Sequence, residues 1–138
     1  MVEGAIVGAI KGPGTLALVG VENGDGDSDA EYIAGKIADL RLFDGIAETD
    51  PERSLSEIGG QVLVISQFTL LGDCRKGRRP SWSQAAGPDA GRAGYESVVE
   101  RLRARGLTVA TGIFRAHMDV RLTNDGPFTV LLDSRKVF

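Results

Sequence analysis

The apolar run at residues 61–71 is the feature that most constrains the fold. It is rich in Val, Ile, Leu and Phe, and its polar members are Ser66, Gln67 and Thr69. A continuous apolar run of this length is typical of a strand that is buried on both faces. The run therefore predicts a central strand in a sheet.

The surrounding segments predict further strands and two helices. Helical spacing of apolar residues predicts helices at 28–43, capped by Asp27 or Ser28, and at 89–105, stopped by Gly106. The segment 45–60 is polar and predicts an irregular loop. Apolar runs predict strands at 4–10, 15–21, 107–110, 114–123 and 128–132. This order predicts one α+β or mixed α/β domain over residues 1–138, with helices packed on a curved sheet.

Composition narrows the class of protein. A chain of 138 residues with 42% apolar and 25% charged residues is typical of a globular domain. The net charge of −3 disfavours a protein that coats nucleic acid, and the single cysteine cannot form an internal disulfide. No apolar run approaches the roughly 20 residues of a membrane span. We expect a soluble, cytoplasmic protein.

The single histidine, His117, is predicted to lie on the polar face of a strand beside Arg115 and Asp119. That position disfavours a Ser-His-Asp triad. One Cys and one His also cannot supply the ligands of a usual zinc site, so the sequence predicts no metal and no cofactor.

Ser66, Gln67 and Thr69 are polar residues within the most apolar strand. Either they bond neighbouring backbone at the strand end, or the strand opens there into a pocket. The turn Gly72-Asp73 then leads into a basic loop that contains Arg75, Lys76, Arg78 and Arg79. Such a loop is either solvated or binds phosphates beside the strand end.

Two neighbours of the basic loop have alternative interpretations. Trp82 either stacks on a base or anchors the loop, and anchoring is favoured. Cys74 lies beside Arg75 and Lys76, but it has no partner base in the sequence pattern, which disfavours a catalytic thiol. The third motif, Asn124-Asp125-Gly126-Pro127, is at minimum a turn, and its Gly-Pro bond is a candidate for the cis form.

Two motifs in this order resemble those of the D-aminoacyl-tRNA deacylases. The first is Ser66-Gln67-Phe68-Thr69-Leu70 with Gly72-Asp73 and the basic loop, and the second is Asn124-Asp125-Gly126-Pro127 with Thr129. The likeness extends from about Gly4 to Ser134. It implies a curved, mostly antiparallel, barrel-like sheet with two main helices.

The resemblance also implies a function. It implies a homodimer that hydrolyses the ester of D-aminoacyl-tRNA and mischarged glycyl-tRNA, with Ser66, Gln67, Phe68 and Thr69 as catalytic residues. Gly126 and Pro127 would enter the partner's pocket and exclude L side chains, while Arg75, Lys76, Arg78 and Arg79 would bind tRNA. Catalysis is assigned either to Thr69 as nucleophile or to backbone amides with the ribose 2′-hydroxyl, and the lack of a positioned base favours the amides.

The sequence departs from the family at its start. Members begin with a strand ahead of the turn at Glu3-Gly4, and this sequence lacks it, which puts dimerisation and activity in question. The loop after Pro51 also differs, with Glu52-Arg53-Ser54 in place of the family's Met-Asn before Ser. Two other functions stay open: a dimer that binds RNA ends without hydrolysis, and a small-molecule esterase acting through Ser66 or Thr69.

Overall fold

The computed structural model describes residues 1–138, and its centre is a three-stranded parallel sheet of order β1-β4-β5. The apolar run supplies β4 (Gln61–Ser66), which lies between β1 (Gly14–Val19) and β5 (Thr108–Thr111). A separate two-stranded antiparallel sheet joins β2 (Arg41–Phe43) to β3 (Arg53–Ser54). The prediction of a mostly antiparallel, barrel-like sheet is therefore wrong, although the α/β class is confirmed.

Two long helices, α1 (Asp27–Asp39) and α3 (Pro88–Ala104), pack against each other and against the sheet. Tyr95 of α3 donates its hydroxyl hydrogen to the Val64 carbonyl at 3.1 Å, which ties the helix to the central strand. Arg101 of α3 and Arg105, the C-cap of that helix, form ion pairs with Glu31 of α1 at 2.7 and 3.0 Å. The core comprises Ala17, Val19, Ala30, Ala34, Ile37, Ala38, Leu55, Val62, Val64, Tyr95, Val98, Val99, Leu102 and Leu107.

Both predicted helices are confirmed, but α1 ends at Asp39 rather than at residue 43, because residues 41–43 form β2 and pair with β3. The cap of α1 is Gly26, whose N–H donates to the Asp29 carboxylate at 2.8 Å, rather than Asp27 or Ser28. Segment 45–60 is not entirely irregular, since β3 is followed by the short helix α2 (Leu55–Ile58). Its N-cap is Ser54, which accepts from the Glu57 N–H. A single helical turn carries too little periodicity to be seen in a polar sequence.

The three other predicted strands, at 4–10, 114–123 and 128–132, do not form. The turn at Glu3-Gly4 is present, because Val2 and Ala5 exchange two backbone hydrogen bonds of 2.9 Å across it. Beyond it the chain runs without a strand partner. Residues 114–123 keep the predicted alternation, with Phe114, Ala116 and Met118 partly buried, but no ladder pairs them. No helix is long and apolar enough to cross a membrane.

Candidate functional site

The strand-end site, which we define as residues Ser66 to Leu71, lies at the carboxyl edge of the parallel sheet. β1 and β4 end side by side, with Val19 paired to Ser66, and the Gln67 N–H donates to the Val19 carbonyl at 2.8 Å. This edge is where open α/β sheets commonly bind ligands, because the strand-end loops diverge there.

At this edge the chain changes from strand to a 3₁₀ helix, Phe68–Leu71, so the predicted strand over 61–71 is five residues too long at its end. The Leu70 N–H donates to the Gln67 carbonyl at 3.2 Å, and the Gly72 N–H donates to the Thr69 carbonyl at 3.0 Å. The N–H groups of Phe68 and Thr69 have no hydrogen-bond partner in the protein. Two neighbouring free amides at a helix start are donors available to an anion.

Thr69 is exposed, which corrects the expectation that its hydroxyl is buried in the strand. Its Oγ1 accepts a hydrogen bond from the amide Nε2 of Gln67. No histidine or carboxylate contacts this hydroxyl, so nothing in the site removes its proton. The arrangement supports a Thr69 hydroxyl that is oriented by Gln67 rather than activated as a nucleophile.

Gly20 is a site residue that the sequence did not single out. A Cβ on Gly20 would stand 2.5 Å from Leu71 Cδ2 and 3.2 Å from the Gln67 carbonyl oxygen. The chain after β1 therefore packs directly against the 3₁₀ helix and supports it. A glycine directly after an apolar strand is the one signal that indicates this close approach.

The basic loop, defined as residues 74–80, follows the 3₁₀ helix and is closed at its base. Asp73 and Ser81 exchange two backbone hydrogen bonds of 2.7 and 2.9 Å. Asp73 also accepts from Arg75, and these bonds lower the pKa of the carboxyl to about 2. Lys76, Arg78 and Arg79 are exposed. A concavity of about 610 Å³ lies beside the loop. It is lined by Asp73, Arg75, Lys76, Arg79 and Ser81.

Trp82 connects the basic loop to the strand-end site. Its ring meets Phe68 edge-on, with centroids 5.8 Å apart, and a Cβ on Gly72 would stand 3.0 Å from its Nε1. The anchoring interpretation of Trp82 is consistent with these contacts. The structure thus brings together the strand-end residues and the basic loop, as the sequence order predicted, and adds Asp73 and Trp82 to the site.

Gly126 and Pro127 lie in a separate loop, and no hydrogen bond joins them to the strand-end site. Their peptide bond is cis. Asn124 holds the loop from both sides: its Oδ1 accepts from the Phe128 N–H at 2.8 Å and its Nδ2 donates to Thr129 Oγ1 at 3.0 Å. The asparagine side chain therefore fixes the turn that carries Gly126 and Pro127.

Of the remaining candidates, His117 does not join the site, and Cys74 makes no hydrogen bond in the basic loop to which it belongs. His117 is exposed, as predicted, and Cys74 is an exposed free thiol. No group of three or more His, Cys, Asp or Glu side chains is placed to hold a metal ion.

Comparison with known proteins gives consistent matches over nearly the whole chain. A family model of D-Tyr-tRNA(Tyr) deacylases matches residues 1–133. The chain is 58% identical over 134 residues to the D-aminoacyl-tRNA deacylase of Heliobacterium modesticaldum, covering 97% of this chain and 88% of the relative. It is 54% identical over 140 residues to that of Thermotoga petrophila, covering 100% and 91%.

Solved structures share the fold. A c-Myc DNA unwinding element binding protein superimposes with a TM-score of 0.85 and 32% identity, covering 94% of this chain and 87% of that chain. A probable eukaryotic D-amino acid tRNA deacylase superimposes with a TM-score of 0.62 at 18% identity, covering 77% and 76%, which supports the fold alone.

Proposed function

This chain belongs to the D-Tyr-tRNA(Tyr) deacylase family and is an aminoacyl-tRNA ester hydrolase, and from the strand-end geometry we propose how it acts. It removes D-amino acids, and also glycine, from tRNA and rejects L-aminoacyl-tRNA. The observation that carries this proposal is the pair of free amides at Phe68 and Thr69.

The two amides form an oxyanion site for the ester carbonyl. Attack of water on the carbonyl carbon creates a negatively charged oxygen, and the N–H groups of Phe68 and Thr69 stabilise it. The bond between the carbonyl carbon and the ribose oxygen then breaks, the ribose oxygen takes the proton given up by water, and the free amino acid leaves. One such donor typically contributes about 3–4 kcal/mol to the transition state.

The protein supplies position rather than a base. The ribose 2′-hydroxyl lies next to the ester in the substrate and relays the proton from water to the leaving oxygen, which makes an enzyme base unnecessary. Gln67 donates a hydrogen bond to the Thr69 hydroxyl, and Ser66 is the last residue of β4. In this mechanism Thr69 lines the site and is not acylated.

Selection against L-amino acids is assigned to Gly126 and Pro127. In the proposed homodimer this loop enters the pocket of the partner, binds the substrate amino group and occupies the space that an L side chain would need. Glycine has no side chain to exclude, so mischarged glycyl-tRNA is accepted. Support comes from the fixed turn at Asn124 and from the exposure of the loop.

A homodimer would also cover apolar surface that the protomer leaves open. Large apolar side chains around this loop are exposed, from 45% for Val130 to 72% for Leu131. Contiguous exposed apolar surface commonly marks an interface. The tRNA is bound by the basic loop, and the protein acts in the cytoplasm where that substrate is made.

Deacylation of matched D- and L-aminoacyl-tRNA by the purified chain tests the proposal. We expect turnover of the D form and of glycyl-tRNA, with the L form at least a hundredfold slower. Equal turnover of D and L forms would exclude chiral selection, and turnover of none would exclude hydrolysis by this chain.

Replacing single amides by esters tests the mechanism. Introduction of the α-hydroxy acid analogue at Thr69 removes its N–H and keeps its side chain, and we expect kcat to fall by about 10²–10³. The same replacement at exposed Ile46 is the matched control, with kcat unchanged. Thr69→Ala should lower kcat less than tenfold, and tRNA ending in 2′-deoxyadenosine should be hydrolysed poorly. Full activity on the deoxy substrate with none in Thr69→Ala would instead identify Thr69 as the nucleophile.

Nucleic-acid binding without hydrolysis is the second candidate function. The similarity to a c-Myc DNA unwinding element binding protein, together with the exposed basic loop, favours it. Tight binding of tRNA or duplex DNA without turnover of any aminoacyl-tRNA would support this alternative.

A further inference from the structure

The four cations of the basic loop are not equivalent in the structure. Arg75 donates to the Asp73 carboxylate three times, through its backbone N–H at 3.1 Å, Nε at 2.9 Å and Nη2 at 2.7 Å. The two side-chain bonds form the bidentate geometry that a guanidinium makes and an ammonium cannot. Lys76, Arg78 and Arg79 have no ion pair and no side-chain hydrogen bond within the protein.

The Arg75 bonds lie at the base of the loop. Asp73 pairs with Ser81 through the backbone, and its carboxylate accepts from the Arg75 backbone N–H two residues on, which constrains the chain where it leaves the base. Trp82 follows Ser81 and contacts Phe68, one of the proposed oxyanion donors. The base is therefore linked through a few residues to the site where the ester is bound.

We propose that Asp73 and Arg75 form a clamp that positions the basic loop, and that tRNA phosphates are bound by Lys76, Arg78 and Arg79 rather than by Arg75. Arg75 and Asp73 are positioning residues in this assignment. The proposal rests on the proposed function, because it assigns roles within the tRNA-binding loop.

The clamp and simple electrostatics predict opposite effects on tRNA binding when the charge of Asp73 is removed. Asp73 is the carboxylate closest to a loop that attracts a polyanion, so removing its charge should strengthen tRNA binding if the loop acts only through charge. If Asp73 instead positions the loop, the same change weakens binding. Because the Arg75 side chain is 85% exposed and that of Asp73 is 34% exposed, loss of this surface pair should change global stability little, and the variants should fold.

The test compares Asp73→Asn, Arg75→Gln, Arg75→Lys, Lys76→Gln and Arg79→Gln in binding of uncharged tRNA and in kcat/KM, each measured over a range of salt. We expect Asp73→Asn to weaken binding about tenfold and to raise KM with kcat little changed. Arg75→Gln should weaken binding with the salt slope unchanged, and Arg75→Lys should resemble it because a lysine cannot make the bidentate pair. Lys76→Gln and Arg79→Gln should each reduce the slope of the logarithm of the binding constant against the logarithm of salt concentration by about 0.7–0.9.

The single tryptophan reports the loop position directly. Trp82 fluorescence should become more accessible to acrylamide in Asp73→Asn and Arg75→Gln, and should not change in Lys76→Gln. Tighter tRNA binding by Asp73→Asn would overturn the clamp. A smaller salt slope of tRNA binding in Arg75→Gln, with the wild-type slope in Arg75→Lys, would overturn it as well. Wild-type binding without turnover would contradict the deacylase proposal alone, whereas failure of the wild-type chain to bind tRNA would overturn the clamp assignment as well.

Discussion

Residues 14–111, the packed region, and residues 112–138, the extended region, have similar apolar character but fold differently. All buried residues lie in the packed region, between Ala17 and Leu107. In the extended region no strand or helix forms, and large side chains such as Leu122 and Phe128 are 59% and 58% exposed. A pattern of alternating apolar residues is therefore not enough to make a strand, because a strand also needs the edge of another to bond to.

The extended region contacts the packed region through Phe114 and Leu132, which are partly buried against the core, and through a few polar side chains. Arg135 forms ion pairs with Glu22 and Asp25 at 3.1 and 3.2 Å, and Ser134 donates to Asp29 at 2.8 Å. The proposed functions divide in the same way. The proposed oxyanion amides lie on the packed region, where position is fixed, and the proposed selecting loop lies on the extended region, where a second subunit would meet it.

Amide hydrogen exchange should show the largest difference between the regions. Amides of β4, such as Val62 and Val64, should exchange slower than those of Leu122 and Val130 by a factor on the order of 10³ or more, because only the former are bonded in a buried ladder. NMR-detected exchange at low protein concentration measures this. Protection of Leu122 that grows with concentration would indicate pairing between copies, and equal protection in dilute solution would contradict the comparison.

The second-largest difference should be in the free energy of unfolding that is lost when a leucine is truncated in each region. Leu102→Ala should lower the free energy of unfolding by about 2–5 kcal/mol, because this fully buried side chain leaves a cavity between α1 and α3. In dilute solution, where the proposed dimer is dissociated, Leu122→Ala should change it by no more than about 0.5 kcal/mol. Urea denaturation of both variants measures the two values. A larger loss in Leu122→Ala would mean that the extended region is packed in solution.

The packed region should also be sensitive to added volume. Gly20→Ala should cost about 1–3 kcal/mol, because its Cβ would stand 2.5 Å from Leu71 Cδ2. It should also lower kcat by displacing the 3₁₀ helix. Gly91→Ala is the control, since a Cβ there makes only ordinary contacts at 3.7 Å, and within α3 the change should not lower the stability. Wild-type stability and kcat in Gly20→Ala would show that the strand end is not supported from this side.

The smallest effect concerns the anchor between Ser134 and Asp29. The pKa of Asp29 is lowered first by the Gly26 N–H and then by the Ser134 hydroxyl. A lowered folded-state pKa means that this contribution to stability is present above the ordinary aspartate pKa of 3.8 and is lost as the pH falls through the folded-state pKa. Ser134→Ala should raise the pKa of Asp29 toward 3.8, measured by NMR titration, whereas Ser56→Ala should not change it. An unchanged pKa in Ser134→Ala would contradict the anchor.

Local sequence patterns predicted the elements that are stabilised by hydrogen bonds within a few residues, and the one strand whose apolar content is highest. Both long helices, β4 and the turn at Glu3-Gly4 follow from periodicity, glycine and apolar content. The site motif from Ser66 to Thr69 and the basic loop were also recognisable. Asp73 was seen only as part of a turn, since nothing in the sequence indicates that its carboxylate binds Arg75.

The sequence alone determined the helices, the central strand, the position of the site motifs and the family. Only the tertiary structure decided that the sheet is parallel, that the strand ends in a 3₁₀ helix with two free amides, and that the extended region has no strand partner. The physical reason is that helices close their hydrogen bonds within a few residues. Strand pairing and free donors depend instead on which distant segments meet, and the local sequence does not encode that choice.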